Sequence, residues 1–240
     1  MCGRFVIKET EVLNALLRRL FSLAEGVARQ SRYNIAPSQV VPVVTTRAGR
    51  ARLAEMRWGL VPAHDNSEKP KLAPINARSE EAFDKAMFRD GIQRRRCVVP
   101  ADAYYEWRKL SPTTKQPYCI ALKSRTPFFF AGIYEPATPL RPETFALFTT
   151  GANGMLQDIH HRMPVILPQP ALGAWLAEGA MSREDFRQAC AAWPADEMDA
   201  WPVSSLVNKP ANDSPVCLEP VAVAPVPAPT PAEPGLFPDF

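Results

Sequence analysis

Histidine is scarce in this 240-residue chain, at three copies, and cysteine is thinly scattered at five. Cys2, Cys97, Cys119, Cys190 and Cys217 form no CxxC pair and share no spacing with histidine that would assemble a tetrahedral zinc site. An odd, dispersed set fits a reducing compartment better than a disulfide framework. Neither sign of charge dominates, since 28 Lys and Arg against 25 Asp and Glu leave +3. Bulk attraction to nucleic acid is therefore weak, and any such surface must come from locally placed Arg and Lys. No apolar run is long enough to span a bilayer, and none follows Arg4 as a secretory signal requires. These absences point to a cytoplasmic, nucleoid-like setting, with no metal, no cofactor and no membrane partner expected, and nothing demands more than a monomer.

What is present is a hydrophobic content of 46%, enough for a sizeable core. Val12, Leu13, Leu16, Leu17, Leu20 and Leu23 recur at helical spacing and predict an amphipathic helix over 10–24. A second helix is predicted over 79–89, with Ser79 as N-cap, Glu80 and Glu81 in its first turn, Phe83, Met87 and Phe88 as its apolar stripe and Gly91 as its stop. Shorter helices are expected near 171–178 and 182–193, where Ser182 and Asp185 resemble a cap. Strand-like runs occupy 40–46, 52–58, 97–100, 103–108, 118–122, 128–134, 145–150 and 165–167. Most follow one another with no helix of crossover length between them, so antiparallel pairing is favoured. The expected fold is α+β with a β-rich antiparallel core and a few flanking helices. Beyond residue 220, Pro225, Pro227, Pro229, Pro231, Pro234 and Pro238 remove backbone donors, dividing the chain into a domain over 1–220 and an extended Pro/Ala-rich tail over 221–240.

Five stretches carry candidate chemistry. Initiator methionine is generally trimmed ahead of a small residue, so Cys2 becomes an N-terminal residue bearing both an amine (pKa near ~8) and a thiol (near ~8.5). An aldehyde attacked by such an amine forms a Schiff base, which the thiol closes into a thiazolidine. Residues 31–38 read as a polar loop leading into a strand. Asn76 and Arg78 precede the predicted helix at Ser79, whose N-terminus suits an anion, although Arg78 is equally able to pair with Glu80 or Glu81. In Tyr104-Tyr105-Glu106-Trp107-Arg108, alternation puts Tyr104, Glu106 and Arg108 on one face. A half-buried Glu106 would act as a proton donor, and an exposed one would pair with Arg108. His160 and His161 stand together before Arg162, as adjacent histidines whose side chains diverge too far for one metal. The Arg94-Arg95-Arg96 run reads as a solvated strand edge or as an extension of a basic surface.

Read together, MCGRF, RYNIAP, RWGLVP, INARSE, VVPADAYYEW, IHHRMP and the late Pro202-Val203-Ser204 to Val207-Asn208 segment resemble the SRAP family, the SOS-response-associated peptidase-like proteins, from Cys2 to about Pro220. That resemblance implies a protein of the DNA damage response that senses abasic sites in single-stranded DNA and shields them by a covalent crosslink through the mature Cys2, with lyase-like Schiff-base chemistry. It also implies that Asn76 holds the reacting end, Glu106 serves as acid and base, and His160 helps open the sugar, while His161 is given no role. For DNA contact it points to Arg4, Asn34, Pro37, Trp58, Arg78, Trp107 and Arg162, with Arg on phosphates and Trp and Pro faces under bases at roughly 1–3 kcal/mol per base. Two rival readings stand beside it: an autoproteolytic cysteine peptidase, as the family name suggests, and a noncovalent single-strand binding module.

Overall fold

A computed structural model describes residues 2–8, 10–23, 30–62, 64–65, 67 and 70–223. Strand β1 (Phe5–Ile7) leads into helix α1 (Thr10–Phe21), followed by β2 (Arg32–Ile35), β3 (Val40–Arg47), β4 (Arg50–Trp58) and β5 (Asn76–Arg78). Helices α2 (Ser79–Ala82) and α3 (Ala86–Arg94) come next, then five strands in succession: β6 (Arg96–Ala101), β7 (Ala103–Lys109), β8 (Lys115–Leu122), β9 (Phe128–Glu135) and β10 (Thr144–Gly151). Strands β11 (Arg162–Pro164) and β12 (Ile166–Leu167), helices α4 (Leu172–Leu176) and α5 (Arg183–Ala189), and β13 (Met198–Pro202) follow. The β-rich α+β architecture is the one expected from the sequence.

Two sheets organise the molecule. In the larger, β10, β4, β3, β6 and β9 pair in that order, and β9 pairs back to β10, closing a five-stranded ring to which β5, β11 and β12 attach. Closure removes the exposed edges that an open sheet would have to protect. The smaller sheet runs β13-β8-β7-β1-β2. Pairing is antiparallel except where β10 lies parallel to β4 and to β5. Those strands are far apart in sequence, so no hairpin dictates their direction.

The sheets face each other across one core. Phe5 of β1 meets Trp58 of β4 at 5.2 Å and Phe130 of β9 at 5.9 Å, both edge-on. Strand β9 (FFFAGIYE) is buried almost throughout because both its faces are covered. On the opposite face of the smaller sheet, Val6, Tyr105 and Cys119 pack under Val203, Val207 and Cys217 of the C-terminal segment.

Several local expectations change. The segment read as a loop at 31–38 contains β2, because its backbone groups pair with β1. The helix expected over 79–89 divides into α2 and α3, with Asp84 and Lys85 between them, and Ser79 lies inside α2 with Arg78 at the N-cap position. Gly91 does not stop that helix. It lies within α3, where a Cβ would come 3.1 Å from Ile133, so a small residue is needed for close packing on β9. Ser182 does cap α5, accepting from the Asp185 amide at 3.0 Å. Arg96 is neither solvated nor part of a basic surface: it turns inward and donates to the carbonyls of Ile92, Trp175, Ala177 and Gly179. The helix end expected at residue 24 and most of the Pro-rich tail lie outside the described residues.

Candidate active site between the sheets

The segment before β1 is held from both sides. Tyr105 of β7 donates its backbone N–H to the Arg4 carbonyl at 3.0 Å, and the Asn76 Nδ2 donates to the Cys2 carbonyl at 2.7 Å. Asn76 can do this because β5 runs parallel to β10, with Asn76 opposite Leu147, which brings it from the larger sheet to the chain end carried by the smaller one. Cys2 is completely buried in the chain as it stands, with Met1 ahead of it and its nitrogen in a peptide bond.

Glu106 lies on the inner face of β7, opposite Tyr118, and is only 3% exposed. It is therefore the buried acid, and the pairing with an exposed Arg108 is ruled out by position. Burial pushes its carboxyl up to about 7. Burial also pushes the Cys2 thiol well up, and the Glu106 charge adds to the shift, so the two groups share one low-dielectric region. Two further polar atoms are buried there without a hydrogen-bond partner among the described residues: Asn76 Oδ1 and the Tyr104 hydroxyl.

His160 sits half-buried just before β11. Its Nδ1 lies 3.0 Å from the Arg162 amide nitrogen and 3.2 Å from the Arg162 carbonyl oxygen, so either tautomer of the ring is tied to that backbone. Burial pulls its pKa down to about 4, and the charges of His161 and Lys115 oppose protonation further. The exposed His161 does not diverge from it as expected but stacks on it, with ring centroids 4.4 Å apart. Among the described residues no cluster of His, Cys, Asp and Glu could hold a metal.

The residues expected to touch DNA separate into two groups. Arg4, Pro37 and Trp107 line one open cleft of ≈ 720 Å³ together with Gly3, Lys115 and Asn208, immediately beside Cys2. The Arg4 guanidinium lies 6.0 Å from the Trp107 ring centre, and the Trp107 indole N–H donates to Asn208 Oδ1 at 2.7 Å, so the ring is oriented before any base arrives. Arg78 is exposed and faces Glu81 at 3.6 Å, a loose surface pair that contributes little. Trp58, Asn34 and Arg162 are different. Trp58 is wholly inside, bonded to the Ile75 carbonyl at 2.9 Å and stacked near Phe145, and offers no face to a base. Arg162 is committed to a bidentate pair with Glu80 at 2.6 and 2.8 Å and to the Thr149 carbonyl, which ties β11 to α2. A separate cavity of ≈ 840 Å³ around Trp175, Met181 and Trp193 is lined by none of the site residues.

Asn34 proves to be a structural hub. Its buried amide nitrogen lies within 3.1 Å of the carbonyls of Val207, Lys209 and Asn212, and its oxygen accepts from Arg4 at 3.0 Å. Asp213, which no sequence pattern marked, accepts from the Asn34 backbone N–H at 2.9 Å and from Arg32 at 2.8 Å. No local pattern marks it, because its partners lie some 180 residues away. Asn34→Ala strips donors from several buried carbonyls at once, and a loss of roughly 2–4 kcal/mol in unfolding free energy is expected from denaturant titration.

The chain matches the family model for SOS response associated peptidase (SRAP) over residues 1–210. It is 39% identical to the abasic site processing protein YoqW of Bacillus subtilis (strain 168), covering 91% of this chain and 99% of that protein. It is 32% identical to the abasic site processing protein YedK of Escherichia coli (strain K12), covering 92% and 100%. To the abasic site processing protein HMCES of Gallus gallus it is 31% identical, covering 83% of this chain and 68% of that one. A crystal structure of a protein from Bacteroides thetaiotaomicron superposes with a TM-score of 0.78 at 25% identity, covering 92% of this chain and all of that one. By that family match, and by relatives above 30% identity over nearly their whole lengths, the chain belongs to the SRAP family.

Proposed function

We propose that this protein processes abasic sites in single-stranded DNA by capturing the sugar aldehyde in a covalent crosslink to Cys2 once Met1 is removed. The observation that carries the reading is the seat of Cys2, its carbonyl held by Asn76 at 2.7 Å in the same buried region as Glu106. The cleft containing Arg4, Pro37, Trp107 and Lys115 opens at the adjacent Gly3, where a single strand has a basic, aromatic track to follow. The relatives, abasic site processing proteins by name, suggest the lesion.

The chemistry balances without an oxidant or metal. Glu106, protonated up to about pH 7, gives a proton to the ring oxygen of the closed sugar and takes back the proton of the anomeric hydroxyl as the C1′ aldehyde opens. The Cys2 amine adds to C1′ with one amine proton passing to the former carbonyl oxygen, Glu106 protonates the resulting hydroxyl, which leaves as water, and an iminium remains beside the Glu106 carboxylate. The sulfur then adds to that carbon, and the thiol proton passes to the Glu106 carboxylate. One water is released, and the thiazolidine has no iminium left to drive strand cleavage by β-elimination. The neutral His160 steadies the sugar oxygen during opening.

The order, amine first and sulfur second, follows from the raised thiol pKa, since a buried thiol beside a carboxylate is a poor initial nucleophile. The same fact weighs against the peptidase reading, which needs a ready thiolate. Intact mass spectrometry tests the proposal directly. The mature protein should lack the mass of Met1 and, after incubation with an abasic single-stranded oligonucleotide, should gain the oligonucleotide mass less one water. Binding without that covalent species would leave the noncovalent module as the correct reading.

A further inference from the structure

Tyr104 stands two residues before Glu106 on β7, so the pleat places both side chains on the inner face, about 6.5–7 Å apart along the strand. Across the sheet it faces Phe5 on β1, three residues after Cys2. Its ring is fully buried, edge-on to Phe130 at 6.0 Å. Burial holds the phenol far above its ordinary pKa, and the charges of Cys2 and Glu106 act in the same direction, so the hydroxyl stays protonated within electrostatic reach of both. The neighbouring Tyr105, on the opposite face, donates its hydroxyl to the Tyr33 carbonyl at 2.8 Å. The Tyr104 hydroxyl has no such partner among the described residues. A buried hydroxyl without a partner is unfavourable, and each such group in a folded protein calls for a reason.

We propose that Tyr104 is a further catalytic residue, whose hydroxyl donates a hydrogen bond to the oxygen on the captured aldehyde carbon as that oxygen becomes the leaving water. This deepens the crosslinking reading and rests on it. When the Cys2 nitrogen bonds to C1′, the former carbonyl oxygen gains electron density and accepts the Tyr104 O–H. Glu106 supplies the proton to that oxygen, the C–O bond breaks with both electrons going to the departing water, and Tyr104 keeps its own proton throughout. A donor already in place in a dry site needs no reorganisation when charge develops, which is where such contacts act most strongly.

Tyr104→Phe removes one oxygen and keeps the ring. Three quantities decide the matter: the single-turnover rate of adduct formation on an abasic single strand, equilibrium binding to the same strand carrying a tetrahydrofuran in place of the lesion, and Tm. The rate is expected to fall on the order of tenfold to a hundredfold, with binding retained and Tm unchanged or higher, since the variant buries no unpartnered hydroxyl. An unchanged rate overturns the proposal. So does a slower rate accompanied by a lower Tm or weakened binding, because either marks a hydroxyl that supports the fold or the DNA contact. If the unsubstituted protein forms no adduct, the crosslinking reading itself fails and the role of Tyr104 falls with it.

Discussion

Cys2→Ala is expected to abolish the denaturant-resistant adduct while leaving attachment of the strand detectable by borohydride trapping. The alanine still presents an N-terminal amine, so the Schiff base forms, but no sulfur is present to close the ring. Without borohydride the unclosed iminium has time to eliminate, and strand cleavage should rise above that of the unsubstituted protein. An N-terminal extension that withstands trimming makes the complementary prediction: sulfur present, amine absent, and neither the adduct nor the borohydride product observed. Both variants retain the anchor from Asn76 to the residue-2 carbonyl, because residue 2 contributes only its backbone to that contact. An irreversible product formed at normal yield by the extended chain would refute the amine-first route, and denaturing gels resolve all of these species.

The second large effect belongs to Glu106. Glu106→Gln keeps the shape and the polar end but supplies no transferable proton, and crosslinking is expected to slow about 10²–10³-fold at pH 6, in the usual range for loss of a positioned acid and base. Because burial raises the carboxyl to about 7, the unsubstituted protein loses its proton donor as pH climbs through that value. The advantage over the Gln variant should therefore shrink above pH 7. Stability follows the same sign. A carboxyl raised from its ordinary 4.5 contributes stability that is fully present below 4.5 and is lost as pH rises through about 7, so the Tm of the Gln variant should gain on that of the unsubstituted protein across this window. His160, lowered from 6.5 to about 4, has the opposite sign, contributing stability above 6.5 that is lost as pH falls through about 4. A Glu106→Gln profile parallel to the unsubstituted one, with no break near 7, would remove this residue from the proton transfer.

The legible parts of the site were those in which residue type and spacing already constrain chemistry. Alternation along β7 assigned Tyr104 and Glu106 to one face before any fold was known, and the structure keeps them there. The depth of Glu106 was not legible, since a half-exposed acid paired with Arg108 satisfies the same alternation. Depth comes from the larger sheet closing over that face. Trp58, Asn34 and Arg162 show the converse. Their residue types suit DNA, yet the ring, the amide and the guanidinium are used up by the Ile75 carbonyl, by three carbonyls of the C-terminal segment and by Glu80.

From sequence alone came the β-rich class, most of the longer strands, the cap at Ser182 and the candidacy of a terminal aminothiol, all of which depend on period-two patterning, local hydrogen bonding or the covalent identity of Cys2. Only the tertiary structure decided the closed ring of strands, the parallel entry of β5, the junction of Asn76 with Cys2 and the burial that sets the proton affinities of Glu106 and His160. The link from β4 to β10 that closes the ring, the pairing of β5 with β10 and the contact of Asn76 with Cys2 each join residues 70 or more positions apart, and a chain read residue by residue carries no local trace of which distant strand will supply the neighbour.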